Sequence, residues 1–152
     1  MNEYKLYLAS AKKEQISTHF TLYDVSHSNT AIAKGIDNRP SPDIVANAKN
    51  LILNVLEPLR NHFNKPVIVN CMYRCPELNK VIGGVKNSQH VSGKAADIVV
   101  RGINLKDAFE YIKKNLIFDQ VIYEGSWIHV SFVTGHNRKQ SLKLVNNKYI
   151  AA

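Results

Sequence analysis

The sequence predicts an α+β fold in which N-terminal helices pack on a small, mainly antiparallel sheet. Three observations carry this expectation. Apolar residues Ile44, Val45, Ala48, Leu51, Ile52, Val55 and Leu56 recur at helical spacing in the first half. β-branched runs begin only at "KPVIVNCMY" and then dominate, in "KAADIVV" and "FDQVIYEGSWIHVSF". Helices gathered early and strands gathered late describe segregated layers rather than alternating βαβ units. The 152 residues suit one domain, and a hydrophobic fraction of 45% is ample for a core.

The elements follow in order. Residues 1–15 form an N-terminal extension, and 16–152 the domain proper. In "FTLYDVSHS", Thr21 with Asp24 three residues on is a capping-box pattern for a short helix. "DNRPSPDIV" is a turn into the longest helix: Ser41 caps it, Pro42 takes the first helical position and Asp43 suits its positive end. Pro58 is expected to kink or interrupt this helix before "LRNHF". After the "PVIVNC" strand, "CPELNKVIGG" is a small helix opened by Pro76 and stopped by Gly83 and Gly84. "KAADIVV" is a strand, and "NLKDAFEYIKKNL" an amphipathic helix with Asn104 and Asp107 as its start signal. "FDQVIYEGSWIHVSF" is a hairpin about Gly125-Ser126, and "SLKLVNNKYI" a last strand or hairpin in the basic tail 133–152. There is no internal repeat and no low-complexity segment.

Composition excludes some functions. No apolar run approaches the roughly 18 residues of a membrane span, so no membrane insertion is expected. "MNEYKLYLASAKKEQISTHF" lacks the apolar core of a secretory signal, so the chain is expected to be made as a soluble cytoplasmic product. Twenty Lys and Arg against twelve Asp and Glu give +8, which attracts polyanions such as nucleic acid or an anionic cell wall. The bases are dispersed without interleaved aromatics, apart from "HNRKQSLKL", so nucleic acid is not the expected partner. Cys71 and Cys75 make a C-x3-C pair with no second pair, a poor structural zinc signature, and read as reduced thiols near a strand end.

The chemistry centres on "SQHVSGKAADIVV". Asp97 lies among Ala95, Ala96, Ile98 and Val99, where a carboxylate loses its hydration and needs a compensating partner. With a two-residue turn at Gly125-Ser126, Glu124 lies opposite Trp127 and Ile122 opposite His129. Glu124, Trp127, His129 and Ser131 then share one sheet face, while Tyr123, Ile128, Val130 and Phe132 face the core. Glu124 and His129 are diagonal neighbours, within reach of each other through long side chains. His90, Asp97 and His129 form a two-histidine, one-carboxylate set of the kind a catalytic zinc requires, with a fourth position for water. Glu124 would take the proton of that water and deliver it to a leaving amine. The residues by themselves leave a second reading open. Each histidine can be a hydrogen-bonded core residue, Asp97 can be held by backbone N–H groups or an arginine, and Glu124 can be merely solvated.

"YRCPELNKVIGGVKNSQHVSGKAADI" together with "VIYEGSWIHVSF" resembles the zinc D-Ala-D-Ala carboxypeptidase family of peptidoglycan peptidases, in the branch common in phages and prophages. The pattern S-x-H-x-x-G-x-A-x-D is matched by Ser88, His90, Gly93, Ala95 and Asp97, and W-x-H by Trp127 and His129. The helical run before them is also similar, so the resemblance covers residues 16–132. It implies a hedgehog/DD-peptidase-like fold and zinc bound by His90, Asp97 and His129. It also implies that Arg74 lies in the site against the substrate's carbonyl or carboxylate, and that Ser88 lies near the substrate unless it serves only the turn. Many members carry the catalytic acid three residues before the final histidine, where this chain has Ser126; the acid here is Glu124, five residues before. Cys71 and Cys75 also stand where small polar residues are usual, and a free thiol near zinc can compete as a ligand.

The expected function is therefore a zinc-dependent, monomeric peptidase acting on peptidoglycan stem peptides, as a D,D-carboxypeptidase or an endolysin-type endopeptidase. Without a signal peptide it would reach the wall through a lysis channel, a virion or cell breakage. The rivals are a non-catalytic wall-binding or virion structural module on the same fold, and a basic nucleic-acid-binding domain.

Overall fold

The computed structural model describes residues 2–152. Its helices are α1 (Glu3–Ala11), α2 (Leu22–Ser26), α3 (Asn29–Lys34), α4 (Pro42–Leu51), α5 (Glu57–Phe63), α6 (Pro76–Ile82) and α7 (Leu105–Asn115). The strands are β1 (Val67–Cys71), β2 (Ala95–Val100), β3 (Gln120–Tyr123), β4 (Ile128–Ser131), β5 (Gln140–Val145) and β6 (Lys148–Ala151). They form one sheet in the order β1-β2-β4-β3-β5-β6, antiparallel except for the β3–β5 pair. The α+β architecture expected from the sequence is the one observed. Among the described residues, no helix is long and apolar enough to cross a membrane.

Local chemistry explains most boundaries. Thr21 and Asp24 make the reciprocal capping box that opens α2. Ser41 accepts from the Ile44 N–H and Pro42 opens α4. Pro58 does not end this helix. The backbone widens into a π turn over Ile52–Leu56, where the Glu57 N–H reaches the Ile52 carbonyl, and α5 continues to Asn64 in the left-handed region. Proline has no N–H for a bond to the carbonyl four residues back and needs room beside it, so a wider turn absorbs the mismatch. At α7, Asn104 caps by accepting from the Lys106 N–H, with no reciprocal bond from Asp107. The tail is a hairpin whose turn residues Asn146 and Asn147 both have positive φ, as a type I′ turn requires.

Residues 3–11 form a helix that the sequence reading did not identify. Tyr4, Leu8 and Ala11 line its buried face, and Tyr4 donates a 2.6 Å hydrogen bond to the Ser26 carbonyl. Three apolar residues at helical spacing in a short charged segment make a faint signal, and tertiary packing supplies the stability.

The sheet has two unlike faces. Ala96, Ile98, Val100, Val121, Ile128 and Val130 point to the helices and join Leu51, Val55, Leu56, Phe109 and Ile112 in the main core. Each such burial contributes about 1.5–3 kcal/mol for a large aliphatic side chain. The other face carries the polar residues, and one row of it crosses three strands: Cys71 pairs with Asp97, and Asp97 with His129. Cys71 joins the row because β1 bulges. Val69 pairs with Ile98, so regular spacing would place Asn70 against Asp97, but the register shifts by one residue.

Candidate metal centre

His90 reaches this row from the loop between α6 and β2. Gly83, at φ 82, ends α6, and successive tight turns follow, with Val91 N–H bonding Ser88 O and Lys94 N–H bonding Gln89 O. The loop leans on α4 at Gly93, whose φ is 74 and where an added Cβ would stand 2.8 Å from both Ile44 Cγ2 and Ile44 O. Only glycine permits that approach in that conformation. The Arg74 N–H bonds the His90 carbonyl, and the His90 ring is 2% exposed.

The donors converge on one oxygen. His90 Nε2 and His129 Nδ1 each lie 3.2 Å from Asp97 Oδ1. His90 Nδ1 lies 2.8 Å from the Met72 carbonyl, an acceptor only, so this nitrogen carries a proton. Nε2 therefore faces a carboxylate with its lone pair unless a cation stands between them, either a proton or a metal. Burial alone would raise the Asp97 carboxyl, but hydrogen bonds from His129 and His90 overcome it and hold the group well below the usual carboxylate range. The structure thus brings together all three metal ligands expected from the sequence.

Cys71 adds a feature. Among the described residues, the acid, imidazole and thiol groups whose potential ligand atoms all lie within 4.8 Å of one another are Cys71, His90 and Asp97, a set that does not include His129. The thiol approaches His90 at Nδ1, 3.8 Å away, the nitrogen committed to Met72. Burial, followed by the charge of Asp97, pushes this thiol up to about 12, so it stays protonated at neutral pH. Cys71 and Cys75 are both free, and Cys75 stands at the start of α6.

His90, Asp97 and His129 line an open cleft of about 790 Å³, bordered by Arg74, Val85, Ser88, Glu124, Trp127, Arg138, Leu142 and Tyr149 among others. Ser88 Oγ accepts from the His90 N–H at 3.2 Å and from Arg74 Nη2 at 3.3 Å, linking the loop to the arginine. Arg74 Nε is buried without a partner. Glu124 pairs through its N–H with the Trp127 carbonyl, and Ile122 lies opposite His129, as the two-residue turn predicts. The Glu124 carboxylate, however, bonds the Tyr149 hydroxyl at 2.9 Å rather than His129.

Two contributors escaped the sequence reading. Tyr149 arrives from β6, and Arg138 makes a bidentate pair with Asp119, itself bonded by Gln89. The Asn-Asn turn announces the hairpin, but nothing local announces that β5 pairs in parallel with β3. The "HNRKQ" cluster is also less free than its composition suggests, since Arg138 is bound to an acid.

The family model described as Peptidase M15 matches residues 18–131, a span that holds Arg74, Ser88, His90, Asp97, Glu124 and His129 and stops short of β5. No curated protein matches the chain. With most of its length matched, and with two imidazoles and a carboxylate gathered on one sheet face within that span, the chain belongs to the peptidase M15 family.

Proposed function

We propose that this protein is a zinc-dependent peptidase that hydrolyses amide bonds in peptidoglycan stem peptides, with His90, Asp97 and His129 as the zinc ligands. One observation carries the reading: two imidazole nitrogens meet a single carboxylate oxygen at 3.2 Å each, while the only other nitrogen of buried His90 is taken by a carbonyl. Two histidines and one carboxylate suit zinc, and a backbone carbonyl on the far nitrogen is the usual orienting partner of a ligating histidine. Bound there, zinc would polarise the substrate carbonyl and lower the pKa of a water molecule.

The remaining roles follow from the chain's own groups. Arg74, with Nε unpaired, binds the carbonyl or terminal carboxylate of the peptide, since a guanidinium keeps its charge and forks onto such oxygens. Ser88 steadies Arg74 and the His90 backbone together. Glu124 accepts a proton on its free oxygen and returns it to the leaving amine. Val85, Trp127 and Leu142 offer apolar contact to short aliphatic side chains along the cleft. The net charge of +8 draws the protein, acting as a monomer, to an anionic wall after release from the cell that made it.

The test is mass spectrometry of purified muropeptides incubated with the protein, with and without a chelator, beside Asp97→Ala. Loss of the terminal residue identifies a carboxypeptidase, and a divided stem an endopeptidase. Identical spectra in every tube would overturn the proposal.

A further inference from the structure

We infer that Tyr149, on the C-terminal hairpin, is a positioning residue that fixes the Glu124 carboxylate in the cleft; the inference rests on the proton-handling role proposed for Glu124. The hairpin lies beyond the matched residues 18–131, so its contribution belongs to this chain's own tail.

Sheet register explains how a residue so late in the chain arrives there. Ile122 pairs with Leu142, placing Leu142 on the cleft face, and Leu144 shares that face because side chains alternate. Leu144 pairs with Tyr149, which therefore faces the same side. Tyr149 and Glu124 are then separated by β5 alone, about 9–10 Å of sheet, a gap that two long side chains close. Their hydroxyl and carboxylate meet at 2.9 Å. The hairpin is held at its base, where Ala152 N–H bonds the Ser141 carbonyl and Ser141 Oγ bonds Ala152 O, and at its entry, where Asp119 grips Arg138.

Glu124 needs such support. It stands at the mouth of an exposed turn, beside Gly125 at φ 102, and among the described residues the Tyr149 hydroxyl is its one side-chain hydrogen-bond partner. The tyrosine engages Oε1 only, and among the described residues Oε2 has no partner. One oxygen is anchored while the other stays open to receive a proton, the division of labour that a positioned base requires. The tyrosine registers the contact: its own ionisation is raised by burial, then by the hydrogen bond and charge of Glu124, then by the charge of Asp97.

The experiment compares the full-length wild type, Tyr149→Phe and Glu124→Gln, each loaded with zinc. In protein labelled at the tyrosine ring carbons, Tyr149→Phe identifies the Tyr149 signal by NMR. Glu124→Gln is expected to move the ionisation of that tyrosine down toward its ordinary value; an unchanged titration would overturn the inference without reference to activity. On a stem-peptide substrate, Tyr149→Phe is expected to lower kcat about tenfold with KM, zinc content and melting temperature unchanged, the worth of one hydrogen bond to a charged group. An unchanged kcat, or a loss that tracks KM, zinc or folding, would also overturn it. If the wild type hydrolyses nothing, the proposed activity falls, and the titration alone decides whether Tyr149 holds Glu124.

Discussion

At Asp97 a single oxygen serves two imidazoles, and the choice of metal ligands turns on which histidine nitrogens remain available. His90 gives Nδ1 to the Met72 carbonyl, which leaves Cys71 facing the committed nitrogen, whereas His129 presents Nδ1 to the shared carboxylate oxygen. His129→Ala is therefore expected to weaken zinc binding by more than about 100-fold, beyond the 10–100-fold that outer-shell partners command. Cys71→Ser should stay within about tenfold of wild type. Competitive titration against a chromophoric chelator measures both, and the opposite ranking would make the thiol a ligand. The face and register of His129 were legible in the sequence because side chains alternate along a strand and the turn length sets the hairpin, whereas His90 and Asp97 were joined to it by residue type and by the family resemblance. The bulge that inserts Cys71 beside them was not legible, because it depends on how β1 meets β2.

Among the elements, the C-terminal hairpin is latched to the head of β3 by one acid. Burial of Asp119 acts to raise its carboxyl, but the Arg138 side chain, the Arg138 backbone N–H and Gln89 bring it down from 3.8 to about 2. A carboxyl lowered on folding stabilises the native state above its unfolded pKa, and that contribution disappears as pH falls through the folded value. The latch is thus complete at neutral pH and lost between about pH 4 and pH 2. Arg138→Met is expected to be less stable than wild type at pH 7, with the difference narrowing through that window. Urea unfolding at pH 7, 4 and 2.5 measures it, and a constant difference would reject the latch. Element starts were readable from their caps because Thr21, Ser41 and Pro76 act on adjacent backbone. Pro58 was readable only in part: the missing N–H is a property of the residue, but whether a helix breaks or widens depends on the core gripping it. Here Ile52, Val55 and Leu56 are fully buried and hold the two halves in line.

For the whole molecule, the proposed metal centre spans the fold. His90 belongs to a loop resting on α4, Asp97 to β2 and His129 to β4, so one cation would tie the helical layer's neighbouring loop to the middle of the sheet. Ligand binding to the native state alone stabilises by about 2.7 kcal/mol at a hundredfold excess over Kd. For a chain of this size that corresponds to roughly 5–10 °C in Tm. A chelator should lower the wild-type Tm by that amount and leave His129→Ala unmoved. Equal shifts in both would place the stabilising metal elsewhere.

The amino-acid sequence by itself determined what acts between near neighbours. The starts of the helices at Leu22, Pro42, Pro76 and Leu105, the parity of the strands at the Gly125-Ser126 hairpin and the register of that hairpin all follow from properties that operate over a few residues. Tertiary structure alone decided the rest: that α1 packs through Tyr4, that a bulge turns Cys71 toward the site, and that a parallel β3–β5 pairing carries Tyr149 to Glu124. These arrangements join segments far apart in the chain. Their energies come from packing and strand pairing that no local stretch encodes.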